Sequence, residues 1–160
     1  MVSKKAVYRG VLWVLTLACA AMILSLSLQP AGDSSALSSG LTHRVLCWFS
    51  AYRDLPAAEQ ATVLAYVQTL VREAAHVAEF TLLGLFASLL SGSYVGRRFW
   101  RVSIIFTALF AVVDECAQEF LASGRAFQLI DLAKDWLGCA LGTAMVWLLL
   151  YIKQKTEKRT

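Results

Sequence analysis

The residues able to do chemistry in this chain gather between residues 72 and 135 and lie inside apolar sequence. His76 and Glu79 stand three positions apart, a spacing that puts both on one face of a helix. Asp114, Glu115 and Gln118 follow, with Asp114–Gln118 and Glu115–Glu119 each four positions apart. Asp131, Asp135, Gly138 and Gly142 step by four, three and four, so they form one helical stripe of acids followed by small residues. Arg72, Arg125 and Lys134 stand near them as counter-charges. An imidazole among carboxylates is the material of general acid–base catalysis, of cation binding, or of a charge-assisted lock between helices.

The spacing narrows these choices. His76-x2-Glu79 is neither the His-Glu-x2-His of zinc helices nor the Glu-x2-His of di-iron bundles. The sequence carries no serine-nucleophile motif and no glycine-rich phosphate loop. The expectation is therefore no metal and no cofactor, with no residue assigned a catalytic role. The four cysteines make no ligand pattern; Cys19 and Cys139 fall in apolar runs as small fillers, and a Cys47–Cys116 disulfide stays open. Counting Glu79, Asp114, Glu115, Glu119, Asp131 and Asp135 against Arg72, Arg125 and Lys134 leaves three uncompensated negative charges. In a low-dielectric site, either carboxyl protonation or a bound cation must balance them.

The elements that hold these residues follow from composition. Of 160 residues, 58% are hydrophobic and 16% charged, and mean hydropathy is +0.60. A soluble domain has about 25% charged residues, so both a soluble globule and a disordered chain are excluded. The net charge of +4 lies in clusters just outside apolar runs, which reads as membrane topology rather than a nucleic-acid surface. Four such runs, at 10–28, 74–95, 102–121 and 130–152, approach the length of about 20 residues that a spanning helix needs. Ten Lys and Arg fall on one side of these spans and five on the other, which puts both termini in the cytoplasm.

Segment 29–72 would then lie outside, opened by Pro30 and broken at Pro56. Leu41, Val45, Trp48 and Tyr52 form one helical stripe in it, and Val63, Val67, Leu70 and Val71 another. Two amphipathic helices, lying on the outer surface or across the bundle mouth, account for both. The expected fold is all-α: a polytopic membrane helix bundle of four transmembrane helices with an outer amphipathic segment, one domain over 1–160. Ionisable groups at membrane depth cost roughly 2.5–3.5 kcal/mol each. Arg72, His76, Glu79, Asp114, Glu115, Gln118, Arg125, Asp131 and Asp135 are accordingly the candidates for a polar pocket near the outer leaflet.

These residues carry a resemblance. Arg72-x3-His76-x2-Glu79-Phe80-x2-Leu83-Gly84, then Asp114-Glu115-x2-Gln118-x-Phe120-x3-Gly124-Arg125-x5-Asp131-x3-Asp135-x2-Gly138-x3-Gly142, resembles the VanZ-like family of small bacterial membrane proteins. The resemblance covers Arg72 to Gly142, nearly half the chain. It implies a multi-span protein of the bacterial cytoplasmic membrane, in a family named after a member associated with low-level resistance to the glycopeptide teicoplanin. No catalytic mechanism comes with it. Three readings stay open: a non-catalytic module holding a lipid-linked or cationic envelope ligand, a membrane-embedded enzyme using His76 and a carboxylate as acid and base, and a packing lock. Membrane lipid is a partner in each, and nucleic acid in none.

Overall fold

A computed structural model describes residues 3–124 and 126–157, apart from the side chains at positions 31, 33, 34 and 37. Every regular element among the described residues is a helix: α1 Lys4–Ser27, α2 Ala31–Leu46, α3 Ser50–Arg53, α4 Ala57–Val95, α5 Phe99–Leu121 and α6 Leu129–Glu157. A 3-10 turn, Gly96–Arg98, joins α4 to α5. The Ser3 hydroxyl accepts from the Lys5 N–H at 3.3 Å and starts α1, satisfying one of the orphan donors of the first turn. Pro30 and Pro56 immediately precede α2 and α4, where a missing N–H costs no helical hydrogen bond. Gly96, with φ of 59°, ends α4 in a backbone region that side chains rarely enter.

Segment 29–72 differs from its expected form in two ways. The second stripe is not a separate surface helix, because α4 runs unbroken through Arg72 for 39 residues. No glycine or proline occurs between Ala57 and Leu83, and Ala, Glu, Gln and Leu sustain the helix where the sequence changes from polar to apolar. The first stripe is divided: α2 stops at Leu46, Trp48 lies in the turn after it, and Tyr52 belongs to α3. Leu41, Val45 and Trp48 are exposed, whereas Tyr52 is buried.

α4 is the central element and packs against α1, α2, α5 and α6. Arg9 of α1 donates to the Ser93 carbonyl near the end of α4 and sits 4.0 Å over the Tyr94 ring. At the other end of α1, Ser27 meets α5 at Asp114. Arg97 donates to Gln154 of α6 at 2.7 Å. Thus α6 runs parallel to α4, α1 and α5 run antiparallel, and the basic residues around Arg9, Arg97 and Lys153 share one end. His76, Asp114, Glu115 and Asp135 lie toward the opposite end.

The α4–α6 contact is backbone against backbone. A Cβ at Gly84 would stand 2.8 Å from the Cys139 carbonyl oxygen, and one at Gly138 would stand 2.5 Å from that of Val77. Gly142 approaches the Thr81 carbonyl still more closely. Small residues therefore set the interhelical distance, the usual device where apolar surroundings give helices no hydrophobic reason to associate. Phe80, Leu83, Ile23, Ala111, Leu132 and Cys139 form the apolar core around this seam.

Beside this apolar core a group of hydroxyls is buried, and many other large apolar side chains face outward. Ser88 Oγ donates to Ser103 at 2.8 Å and lies 3.2 Å from Thr143 Oγ1, so the three hydroxyls join α4, α5 and α6. Ser103→Ala is expected to lower stability by about 1 kcal/mol, read as a fall in the thermal midpoint of the micelle-solubilised protein. An unchanged midpoint would show that these hydroxyls are not coupled. Outside, Ile105, Leu109, Val113, Leu141, Leu148 and Leu149 are exposed. Apolar exposure on that scale marks a surface that does not face water.

Two helices, α1 and α6, are long and apolar enough to cross a membrane. The expected spans 74–95 and 102–121 are helical but fall outside this set. In α5 any 18-residue stretch contains Asp114, Glu115 and either Arg101 or Glu119. All four cysteines are free thiols, so the Cys47–Cys116 disulfide does not form.

Candidate functional site

The site is assembled by three helices from positions far apart in sequence. His76 projects from the middle of α4, Asp114 and Glu115 from the last two turns of α5, and Asp135 from the second turn of α6. All four side chains are buried, Asp114 and Asp135 completely. The stripe of Asp131, Asp135, Gly138 and Gly142 faces α4 as its spacing implies: the glycines admit the α4 backbone, and one turn away Asp135 reaches His76. The close helix approach thus brings a carboxylate and an imidazole together in the interior.

The contacts are specific. His76 Nδ1 and Asp135 Oδ1 are 3.1 Å apart. Asp114 Oδ2 accepts from the Ser27 hydroxyl at 2.8 Å and from Gln118 Nε2 at 3.2 Å. Glu115 receives the backbone N–H of Gln128 on Oε2 at 3.0 Å, with Gln118 Nε2 at 3.4 Å from Oε1. One nitrogen of His76 and one oxygen each of Glu115 and Asp135 lie within 4.8 Å of one another. Asp135 Oδ2 is buried without a hydrogen-bond partner among the described residues.

Around this centre the other candidates take different places. Asp131 pairs with Lys134 at 3.0 Å, and Lys134 also reaches Glu73 at 3.5 Å, so this lysine is engaged at the rim. Arg72 and Glu79 do not join the three-residue group. They line a cavity of about 430 Å³ between α1, α2 and α4, together with His76, Ser27, Ser38 and Gln68. Gln68 is held by Ser38 Oγ at 3.1 Å and the Ser35 carbonyl at 3.0 Å, which docks α2 on this wall. Arg125 lies outside the described residues.

Several contributors are not legible as site residues in the sequence. Ser27 is one of several serines at the end of an apolar run, and only the return of α5 puts it on Asp114. The Gln128 N–H is another, and with Glu119, counted among the acids by spacing, whose Oε2 accepts the Phe127 N–H at 2.6 Å, it holds the α5–α6 connection against the site. Backbone donors leave no mark in a sequence. The spacing marks the acidic neighbours of His76 as a group, but the geometry selects Glu115 from among them because its rotation about α5 turns it toward Asp135.

Hydrogen-bonded carboxylates beside an imidazole, with hydroxyls and a guanidinium on an adjoining wall, can bind a cation or a polar headgroup, or move a proton between His76 and Asp135. Neither a curated protein nor a solved structure matches the chain at a significant level. The profile of the VanZ/LLP1 family matches residues 12–151. That match takes in most of α1, the segment 29–72 and every residue of the buried cluster, and the chain belongs to the VanZ/LLP1 family.

Proposed function

We propose that this protein is a four-span bundle of the bacterial cytoplasmic membrane and a non-catalytic binding or modulating module, with both termini on the cytoplasmic side. Its polar pocket faces the outer leaflet, holds a lipid-linked or cationic envelope component, and thereby modulates glycopeptide susceptibility. The observation that carries this reading is the cavity of about 430 Å³ whose lining combines Arg72, His76 and Glu79 with hydroxyl and amide groups. Its volume lies in the range of small-molecule sites. A guanidinium, a carboxylate and hydroxyls converging there suit a headgroup that bears both charge and hydroxyls. Collection of the basic residues at the opposite end of the bundle supports the orientation.

The test is complementation of a deletion strain, scored as the minimum inhibitory concentration of teicoplanin. The deletion is expected to lower it, and wild-type protein to restore it. Glu79→Gln or Arg72→Ala, expressed at equal membrane levels, is expected not to. Removing one charged partner weakens headgroup binding about tenfold or more. Full restoration by both variants would end the pocket reading.

The His76–Asp135 contact at 3.1 Å favours a second reading. A base oriented by a buried carboxylate is the arrangement used for proton transfer, and a membrane-embedded enzyme acting on a lipid-linked substrate would use it so. That reading requires a new lipid-extract species, seen by mass spectrometry, that disappears in His76→Ala. The binding reading requires unchanged lipid species in both strains.

A further inference from the structure

We infer that His76, Glu115 and Asp135 form a site for one divalent transition-metal cation. One donor atom from each lies within 4.8 Å of the others, and all three residues are buried. Donors about 2.1 Å from a metal stand about 3 Å apart on an octahedral edge, and the His76 Nδ1–Asp135 Oδ1 separation is 3.1 Å. A modest inward rotation of the carboxylates closes the remainder.

An independent observation points to a ligand. Asp135 is fully buried, yet Oδ2 has no hydrogen-bond partner among the described residues. A buried carboxylate oxygen without a donor among the described residues is stabilised when a cation meets it. Two further features fit. Glu115 is held by the Gln128 N–H and by Gln118, the outer hydrogen bonding that orients metal-ligating carboxylates. Lys134 is engaged by Asp131 and Glu73 rather than by the inner acids.

The donor set of one imidazole and two carboxylates selects the class of ion. Imidazole favours Zn²⁺ and its first-row neighbours, and carboxylates admit Mn²⁺. The linear sequence hides this site, since its ligands come one from each of three helices and match no spacing motif. His76 also lines the cavity between α1, α2 and α4, so a bound metal would lie beside that space.

The test uses the full chain in detergent micelles. Elemental analysis after purification without chelator is expected to find about one transition metal per chain. After EDTA stripping, titration with ZnCl₂ is expected to restore it and to raise the thermal midpoint. Asp135→Asn and Glu115→Gln should each weaken Zn²⁺ binding by about tenfold or more. Glu73→Gln, at the exposed rim, should leave it unchanged. Glu115→Gln retains an oxygen to accept the Gln128 N–H, so it separates loss of a ligand from loss of the fold.

Absence of metal from the purified protein together with no Zn²⁺ uptake would overturn the inference. So would uptake that both variants retain in full, or Mg²⁺ binding as tight as Zn²⁺. The metal site stands apart from the headgroup reading: metal content is measured without an envelope ligand, and complementation is scored with Glu79 and Arg72, which are outside this donor set.

Discussion

Gly142→Ala is expected to unfold or loosen the bundle more than any other single-methyl addition in the chain. The new Cβ would fall against the Thr81 carbonyl, 2.6 Å from the Leu85 nitrogen and 3.0 Å from the Gly84 carbonyl carbon. All three are backbone atoms of α4, which no rotamer change can move. The helices must separate, and the expected loss is about 3 kcal/mol, the upper end of overpacking costs. Because α6 moves as a unit, the same shift draws Asp135 away from His76, two turns along the helix. Gly10→Ala is the matched control: nothing lies within 4 Å of its Cβ position, and helix propensity alone favours the alanine by about 1 kcal/mol. Thermal unfolding of both variants in micelles measures the contrast. A midpoint for Gly142→Ala equal to that of Gly10→Ala would show that the α4–α6 seam is not the close contact described.

Asp135→Ala is expected to cost about 3–5 kcal/mol, the range for removing one partner of a buried pair. His76 has its Nδ1 against Asp135 Oδ1 and little access to water to replace that contact. A double-mutant cycle isolates the pair: His76→Gln and Asp135→Asn singly, then together. Coupling of about 0.5–3 kcal/mol between the substitutions is expected for residues in direct contact, so the double variant should lose less than the two single losses combined. Strict additivity would mean that the two side chains do not interact, and the arrangement of α4 and α6 at that level would have to be redrawn.

Much of this architecture is legible in the spacing of particular residues. The steps from Asp131 to Asp135, Gly138 and Gly142 predict a stripe that packs against another helix, and the stripe does pack, with Val77, Phe80 and Thr81 of α4 opposite its glycines. A period of 3.6 residues leaves little freedom in which side chains share a face. Segment 29–72 is less legible. Val63, Val67, Leu70 and Val71 repeat as they would in a short surface helix, but they begin a helix that continues through 39 residues. Hydropathy marks where the surroundings of a helix change, whereas only Gly, Pro or a cap marks where a helix stops.

The sequence by itself determined an all-helical chain with an apolar exterior, basic residues in separate clusters and an acidic layer too costly to be incidental in a membrane. These are properties of composition and of local period, which act within a few turns of the chain. Tertiary structure alone decided that Glu115 joins His76 and Asp135, that Ser27 holds Asp114, and that Arg72 and Glu79 line a neighbouring cavity. Those choices depend on the rotation of α5 about its axis and on the distance between α4 and α6. Backbone contact at three glycines, Gly84 against Cys139, Gly138 against Val77 and Gly142 against Thr81, sets that distance and exists only once the helices have met.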